Sequence, residues 1–437
     1  MLLRSNKQIV TIIVLLSLAF IFLVAYHLLS NLPEKNPIRI RFADRMSEAH
    51  LLLIDKFNAE NADSIKVIPI DFPKEDFSTD ARKEVLARSL RGDDDAIDVF
   101  AVDLISVHRF TKWCEPLGKY FTEDERKKIT SEALKTCYYE GELVAIPLDL
   151  VQSVMYYRTD LLQKYDGYKN IVKKLKTGIT WPEMVRLKNE MGFKGPFYIY
   201  PAADYEGLTC SFIEILLSLR SNYFETEGFH FNTKEAYEAL QLLVNLVYKY
   251  RLTPSIVCNF TEIPSYEYFI RSDGLFIRGW TSYDKDFERA RIDSMKEKFL
   301  CKVPIPYPYG GKPISLFGGW NLMLAKSCKN KTAAVKFIKF LLSNEAQELL
   351  YSKSGFYPVV CSFYNDSSYI NRYPEIREIK ILLQFGVHRP LHENYTRYSR
   401  IMARYVSLAI AGKISVDEAL SNIDKSIGSE EVQLNPR

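Results

Sequence analysis

The chain has 437 residues, with 58 Lys and Arg against 54 Asp and Glu and a net charge of +4. That near-balance excludes the strongly basic footprint of a nucleic-acid-binding protein. The length exceeds what one hydrophobic core organises, so two domains are expected behind the N-terminal segment.

Residues 9–29 are apolar except for Thr11, Ser17, Tyr26 and His27. As a helix they would rise about 31 Å, enough to cross the core of a bilayer. Arg4 and Lys7 precede the run with no acidic residue beside them, which predicts that residues 1–8 stay in the cytoplasm and the rest is exported. A cleaved signal peptide is the alternative; it needs a small-x-small site, and Leu28 two residues before Ser30 makes a poor one. A lipid-modified Cys would have to follow the run directly, whereas the first Cys is Cys114.

Beyond residue 37 the pattern alternates between strands and helices. Ile38 to Phe42 alternates as a strand does, and Ser47 to Asn58 has helical periodicity through Leu51, Leu52, Ile54 and Phe57. Ile65 to Ile70 is a second strand and Thr79 to Arg91 a second helix. Ile97 to Val102 is a third strand that runs out at Asp103. This order predicts an α/β fold with a mostly parallel sheet covered by helices on both faces. Ligands of such sheets sit beyond the carboxyl ends of the strands, where Asp44 to Glu48 and Asp103 to Ser106 fall. Thr180-Trp181-Pro182-Glu183 has the N-cap and early Pro of a helix start. Lys234 to Tyr250 is amphipathic. Asn330 to Leu350 reads as one more helix, stopped around Gly355 and Pro358. No low-complexity linker interrupts the chain, so several crossing segments are expected to join the domains.

Seven Cys occur at 114, 137, 210, 258, 301, 328 and 361, with no C-x-x-C spacing, which argues against zinc and redox motifs. Their odd number leaves at least one thiol outside any internal disulfide. Neither a nucleophile elbow, an H-E-x-x-H motif nor a P-loop is present. His388 and His392 are four apart, but Pro390 breaks the helix that would bring them to one metal. No catalytic residue, metal or cofactor is therefore expected. The aromatic fraction of 13%, with 28 Tyr, suits ligands with flat apolar faces.

A set of segments in fixed order carries a resemblance. They are Asp98–Asp103, Tyr139–Leu148, Met155–Leu162, Thr180–Met184, Tyr205–Leu208 and Gly318–Leu322, the last leading into Ala333–Phe337. From about residue 37 onward the chain resembles the extracellular solute-binding proteins of ABC importers, nearest to the maltose and trehalose type. The resemblance implies a two-lobed periplasmic-binding fold of type II, with three interdomain crossings near residues 150, 315 and 362. One lobe would be residues 37–150 plus 315–362 and the other 151–314 plus 363–437, after a transmembrane helix over 9–29. It also implies a monomeric receptor on the outer face of the membrane that hands a small solute, a sugar first of all, to permease subunits. A tethered sensor that reports a solute without transporting it is the alternative, as is a receptor for a non-sugar polar solute.

A sugar needs charged acceptors and forked donors for its hydroxyls and a flat aromatic surface for its C–H face. By resemblance Asp103 takes ligand hydroxyls, Trp280 and Trp320 stack on the ring, and Arg389 donates. Gly318 presents backbone beside Trp320. Glu48, after the first strand, and Tyr205 with Glu206, at a helix start, complete the expected set. The crossing segment departs from the trehalose-type pattern, with Asp149 where that type often has Tyr and Val151 where it has a carboxylate. Asp149 joins the set from a position of its own.

Overall fold

The computed structural model describes residues 16–24, 36–72, 79–92, 97–283, 285, 296 and 298–429. The chain begins its sheet with strand β1, Ile38–Asp44, helix α1, Glu48–Glu60, strand β2, Ile65–Asp71, helix α2, Thr79–Arg91, and strand β3, Val99–Asp103. Ser47 starts α1 because its Oγ accepts from the His50 amide at 3.3 Å, while the imidazole Nδ1 accepts from the Ser47 amide at 3.2 Å. β1 lies between β2 and β3, parallel to both, so Asp44 and Asp103 leave the sheet at the same edge.

Two long strands carry the chain across the middle of the molecule. Strand β4, Ile146–Arg158, precedes the short β5, Tyr198–Ile199, and helix α3, Glu206–Leu219. After β6, Phe276–Trp280, and β7, Leu300–Val303, the chain returns through β8, Ser315–Leu324. β8 lies antiparallel between β3 and β4. Up to Gln152, β4 pairs with β8; from Ser153 it pairs with β6 instead. The strand order among the described residues is β2-β1-β3-β8-β4-β6-β5, with β7 beside β4 and the short β9, Gly386–Val387, beside β8. The sheet is thus mixed, not mostly parallel as its first strands suggest. The return strand must run back against those that carried the chain out, and it enters at the centre.

A third passage follows β8 past Tyr357, whose amide donates to the Leu150 carbonyl at 2.7 Å. Gln152 then reaches it from β4, its Nε2 donating to the Leu382 carbonyl at 2.6 Å. The chain ends its described part with helix α4, Tyr395–Ile410, and a last helix, Val416–Gly428.

Local chemistry explains where the helices differ from their sequence pattern. Thr180 caps Trp181–Met191 in a capping box with Glu183. The single helix expected from Asn330 to Leu350 is two, Lys331–Leu341 and Asn344–Ser354. Ser343 breaks the run by capping the second one, its Oγ accepting from the Ala346 amide at 3.2 Å. Gly355 ends that helix in the left-handed region, as expected. All seven Cys are free, four of them buried. Of the apolar run at 9–29, residues 16–24 are helical and exposed, and the rest lies outside the described residues. Among the described residues no helix is long and apolar enough to cross a membrane.

The contact between β4 and β8 is closest at Gly319, whose φ is +138°. A Cβ there would stand 2.4 Å from the Asp149 carbonyl oxygen. Gly319→Ala is therefore expected to lower unfolding free energy in urea by about 2–4 kcal/mol. A change within about 0.5 kcal/mol, the ordinary range for a surface substitution, would contradict this close approach.

Candidate functional site

Directly opposed residues on antiparallel strands put their side chains on the same face of the sheet. Trp320 of β8 lies opposite Asp103 of β3 on one side and opposite Asp149 of β4 on the other. The indole is thus flanked by two carboxyls across three strands. The register shifts just beyond it, between Trp320 and Asn321, a bulge that turns the strand where the site begins.

Arg389 crosses from this row to the other half of the sheet. One guanidinium nitrogen donates to Asp103 Oδ1 at 2.9 Å and another to Glu206 Oε1 at 2.6 Å. Glu206 is the first residue of α3, where the helix N-terminus favours a negative charge. Tyr395 donates its hydroxyl to the same Oε1 at 2.8 Å, and Ser399 donates to Oε2. Arg389 is only 3% exposed. Burial pushes the Asp103 carboxyl up, but Arg389, Lys83 and the Ile105 amide more than offset this and hold it below the usual carboxylate value. Burial acts to lower the Arg389 value, and the surrounding acidic groups, Asp103 foremost, raise it well above the ordinary one.

A second arginine lies on the indole. The Arg82 guanidinium carbon is 3.8 Å from the Trp320 ring centroid, and its nitrogen donates to Asp44 Oδ1 at 2.5 Å and to the Ala101 carbonyl at 3.1 Å. Asp44 also accepts from the Arg45 amide at 2.6 Å. The other half of the sheet repeats the device. Arg278 lies 4.4 Å from the Trp280 ring and pairs with buried Glu214 at 2.7 and 3.3 Å. Each indole is half-buried, with a held cation nearby. A Cβ on Gly318 would stand 3.3 Å from the Trp280 ring and 3.0 Å from Val151, so the glycine gives Trp280 its place against β8.

Of the residues the sequence singles out, Asp103, Asp149, Glu206, Arg389, Trp320, Trp280 and Gly318 fall on this short stretch of sheet and its flanks. Tyr205 adjoins Glu206, but its ring folds over Gly207 and its buried hydroxyl has no hydrogen-bond partner among the described residues. Glu48 is set apart, exposed and paired with Lys353 at 3.2 Å. The chain turns into α1 after β1, and the carboxyl left at the strand end is that of Asp44. The sequence points to Glu48 as the acid past this strand end; the structure leaves Glu48 at the surface and buries Asp44. Arg82 and Arg278 were missed, since an arginine in an amphipathic helix or beside a Trp looks like surface. The position of Tyr395, six residues after Arg389, was the one available signal for its role.

The cluster offers hydrogen-bonding acids, forked donors and two aromatic surfaces, which together suit a hydroxylated ring. Among the described residues no group of His, Cys, Asp and Glu is placed to hold a metal. Two surface hollows of about 550 and 380 Å³ lie elsewhere, lined by Phe229, His392 and Tyr398 and by Tyr237, Tyr248 and Ile414 respectively.

Comparison with known proteins bears on the family and the fold. The sequence profile of a family described as bacterial extracellular solute-binding protein matches residues 42–348. A probable ABC transporter-binding protein of Deinococcus radiodurans is 24% identical over 365 residues, covering 81% of this chain and 82% of the relative. The structure of maltose-bound MalE3 from T. maritima superposes with a TM-score of 0.77 at 25% identity, covering 89% of this chain and 99% of that one. An ABC transporter solute-binding protein from Thermotoga lettingae bound with α-D-tagatose gives 0.74 at 19% identity, over 90% and 100%. The architecture is the two-lobed one of these binding proteins.

Arg389→Met would leave buried Asp103 and half-buried Glu206 without their shared cation. The expected cost is about 3–5 kcal/mol in urea unfolding. Because Asp103 is depressed in the folded chain, its contribution is present above the unfolded value near 3.8 and is lost as pH falls below it. The gap between wild type and Arg389→Met should therefore narrow below about pH 4. Equal stability at pH 7 would remove the clasp from the account.

Proposed function

Since the chain belongs to the family of bacterial extracellular solute-binding proteins, we propose that it is the receptor of an ABC-type importer and captures a saccharide between its two lobes. The observation that carries this reading is the row Asp103–Trp320–Asp149, bound through Arg389 to Glu206 on the far side of the crossing strands. The lobes are residues 37–150 plus 315–362 and 151–314 plus 363–437. In support of these boundaries, β4 changes partners after Gln152. The solute enters an open cleft, rests on Trp320, and is covered by the lobe that carries Glu206 and Trp280. Closure is driven only by the extra affinity of the closed form. The protein does no chemistry on the solute. Its closed shape is what permease subunits recognise, and it acts as a monomer.

Residues 9–29 hold the receptor to the outer face of the membrane. The support is the run at 9–29, free of acidic and basic side chains other than His27, behind Arg4 and Lys7. Tethering raises the receptor's effective concentration at the permease.

Thermal unfolding of residues 37–437 against sugars, polyols, amino acids and peptides tests the solute class. A saccharide at 100 times its dissociation constant adds about 2.7 kcal/mol of stability. Trp320→Ala and Asp103→Ala should abolish the shift. A shift with amino acids or peptides alone would keep the clamp and remove the saccharide. For the anchor, the full chain should stay with membranes through an alkaline wash. Recovery of a shortened soluble chain would establish cleavage instead.

A further inference from the structure

Every acid of the cleft floor but one has an internal partner. Asp44 is held by Arg82, Asp103 by Arg389, and Glu206 by Arg389, Tyr395 and Ser399. Asp149 is 2% exposed, and neither of its carboxyl oxygens has a hydrogen-bond partner among the described residues. It is not a misplaced surface acid, because its backbone is fixed between β8 and the close approach of Gly319. Its side chain shares the sheet face of Trp320, the surface on which the solute is proposed to rest.

A buried carboxylate whose oxygens make no well-formed hydrogen bond is costly, and the neutral acid is the cheaper form. Burial is the main cause that raises the Asp149 carboxyl well above its ordinary value, and the charge of Asp44 adds to it. The Trp320 amide, Arg45 and Arg82 pull the other way without overcoming it. Arg82 cannot easily turn to Asp149, since it is bonded to Asp44 and the Ala101 carbonyl and stacked on Trp320.

We propose that Asp149 is a ligand contact, and that capture of a hydroxylated solute over Trp320 expels one proton from the site. The inference rests on the binding site proposed above. In the ligand-free form described the carboxyl is shut off from solvent and keeps its proton; a solute reaches it only when the lobes part. A solute that brings a pair of hydroxyl donors to the two oxygens stabilises the carboxylate, and the proton leaves to solvent. Selection therefore favours a solute with two adjacent hydroxyls at this point over one with a methylated or deoxygenated edge. Since binding lowers the value of the carboxyl, affinity rises with pH for as long as the free protein holds the proton, by up to tenfold per pH unit. It levels off above that range.

Two measurements test this with the intact receptor. The first needs no ligand. Capillary electrophoresis at pH 7 should give wild type and Asp149→Asn the same net charge; a difference of one unit would show an ionised Asp149 and overturn the proposal. The second is calorimetry in two buffers of different ionisation enthalpy, with maltose tried first and then the other saccharides of the thermal panel until one binds. Close to one proton should be released per solute by wild type and none by Asp149→Asn, whose affinity should also lose its pH slope. Equal proton release in both would overturn the assignment to Asp149. If Trp320→Ala weakens binding while Asp149→Asn changes neither affinity nor proton count, this inference alone fails. If neither substitution matters, the site itself lies elsewhere.

Discussion

The guanidinium of Arg389 is bonded at 2.9 Å to a carboxylate at the end of β3 and at 2.6 Å to another at the start of α3. These residues come from opposite sides of the crossing strands, and the arginine itself is almost wholly buried. A buried charge is tolerated only when its hydrogen bonds are well made, and removing a partner is far costlier than removing the whole set. The relative positions of β3, α3 and the segment before α4 are therefore tied together at one point. That point lies beside Trp320, on which the solute is proposed to rest. The clasp is a structural tie and, on that proposal, one wall of the site.

The strands around it explain why it can be placed accurately. β4 and β8 run through the centre of the sheet and serve both halves, so each half is built on the same two backbones. Asp149, Gly318, Gly319 and Trp320 all belong to those strands. Arg82 and Arg278 then fix the two indoles, each through its own buried acid. A recognition surface supported by locked side chains on strands keeps its geometry better than one on loops.

Much of this was legible in the sequence. The alternation of Ile38 to Phe42, the capping box at Thr180 and the acid ending the third strand follow from local chemistry, and the structure carries them. Gly318-Gly319-Trp320 reads as backbone presented to a ligand; in the structure Gly319 is also where β8 comes closest to the backbone of Asp149. What stayed hidden depends on contacts distant in sequence. Ser343 is the exception: its break is a local cap on the Ala346 amide, masked by the apolar periodicity around it. The choice between Asp44 and Glu48 turns on which side of the chain faces β3. Arg82, in a helix 238 residues before Trp320, gives no local sign that it will stack on it. The mixed sheet follows from where the return strand enters, which no periodicity specifies.

The account's central claim is that a solute rests on Trp320 between the two halves of the sheet. The most direct measurement is a crystal structure with the saccharide that stabilises the chain most. The account predicts the solute stacked on Trp320, with hydroxyls on Asp103 and Asp149 and the lobe carrying Glu206 closed over it. A solute bound instead in the hollow lined by Phe229, His392 and Tyr398, with Trp320 untouched, would contradict it.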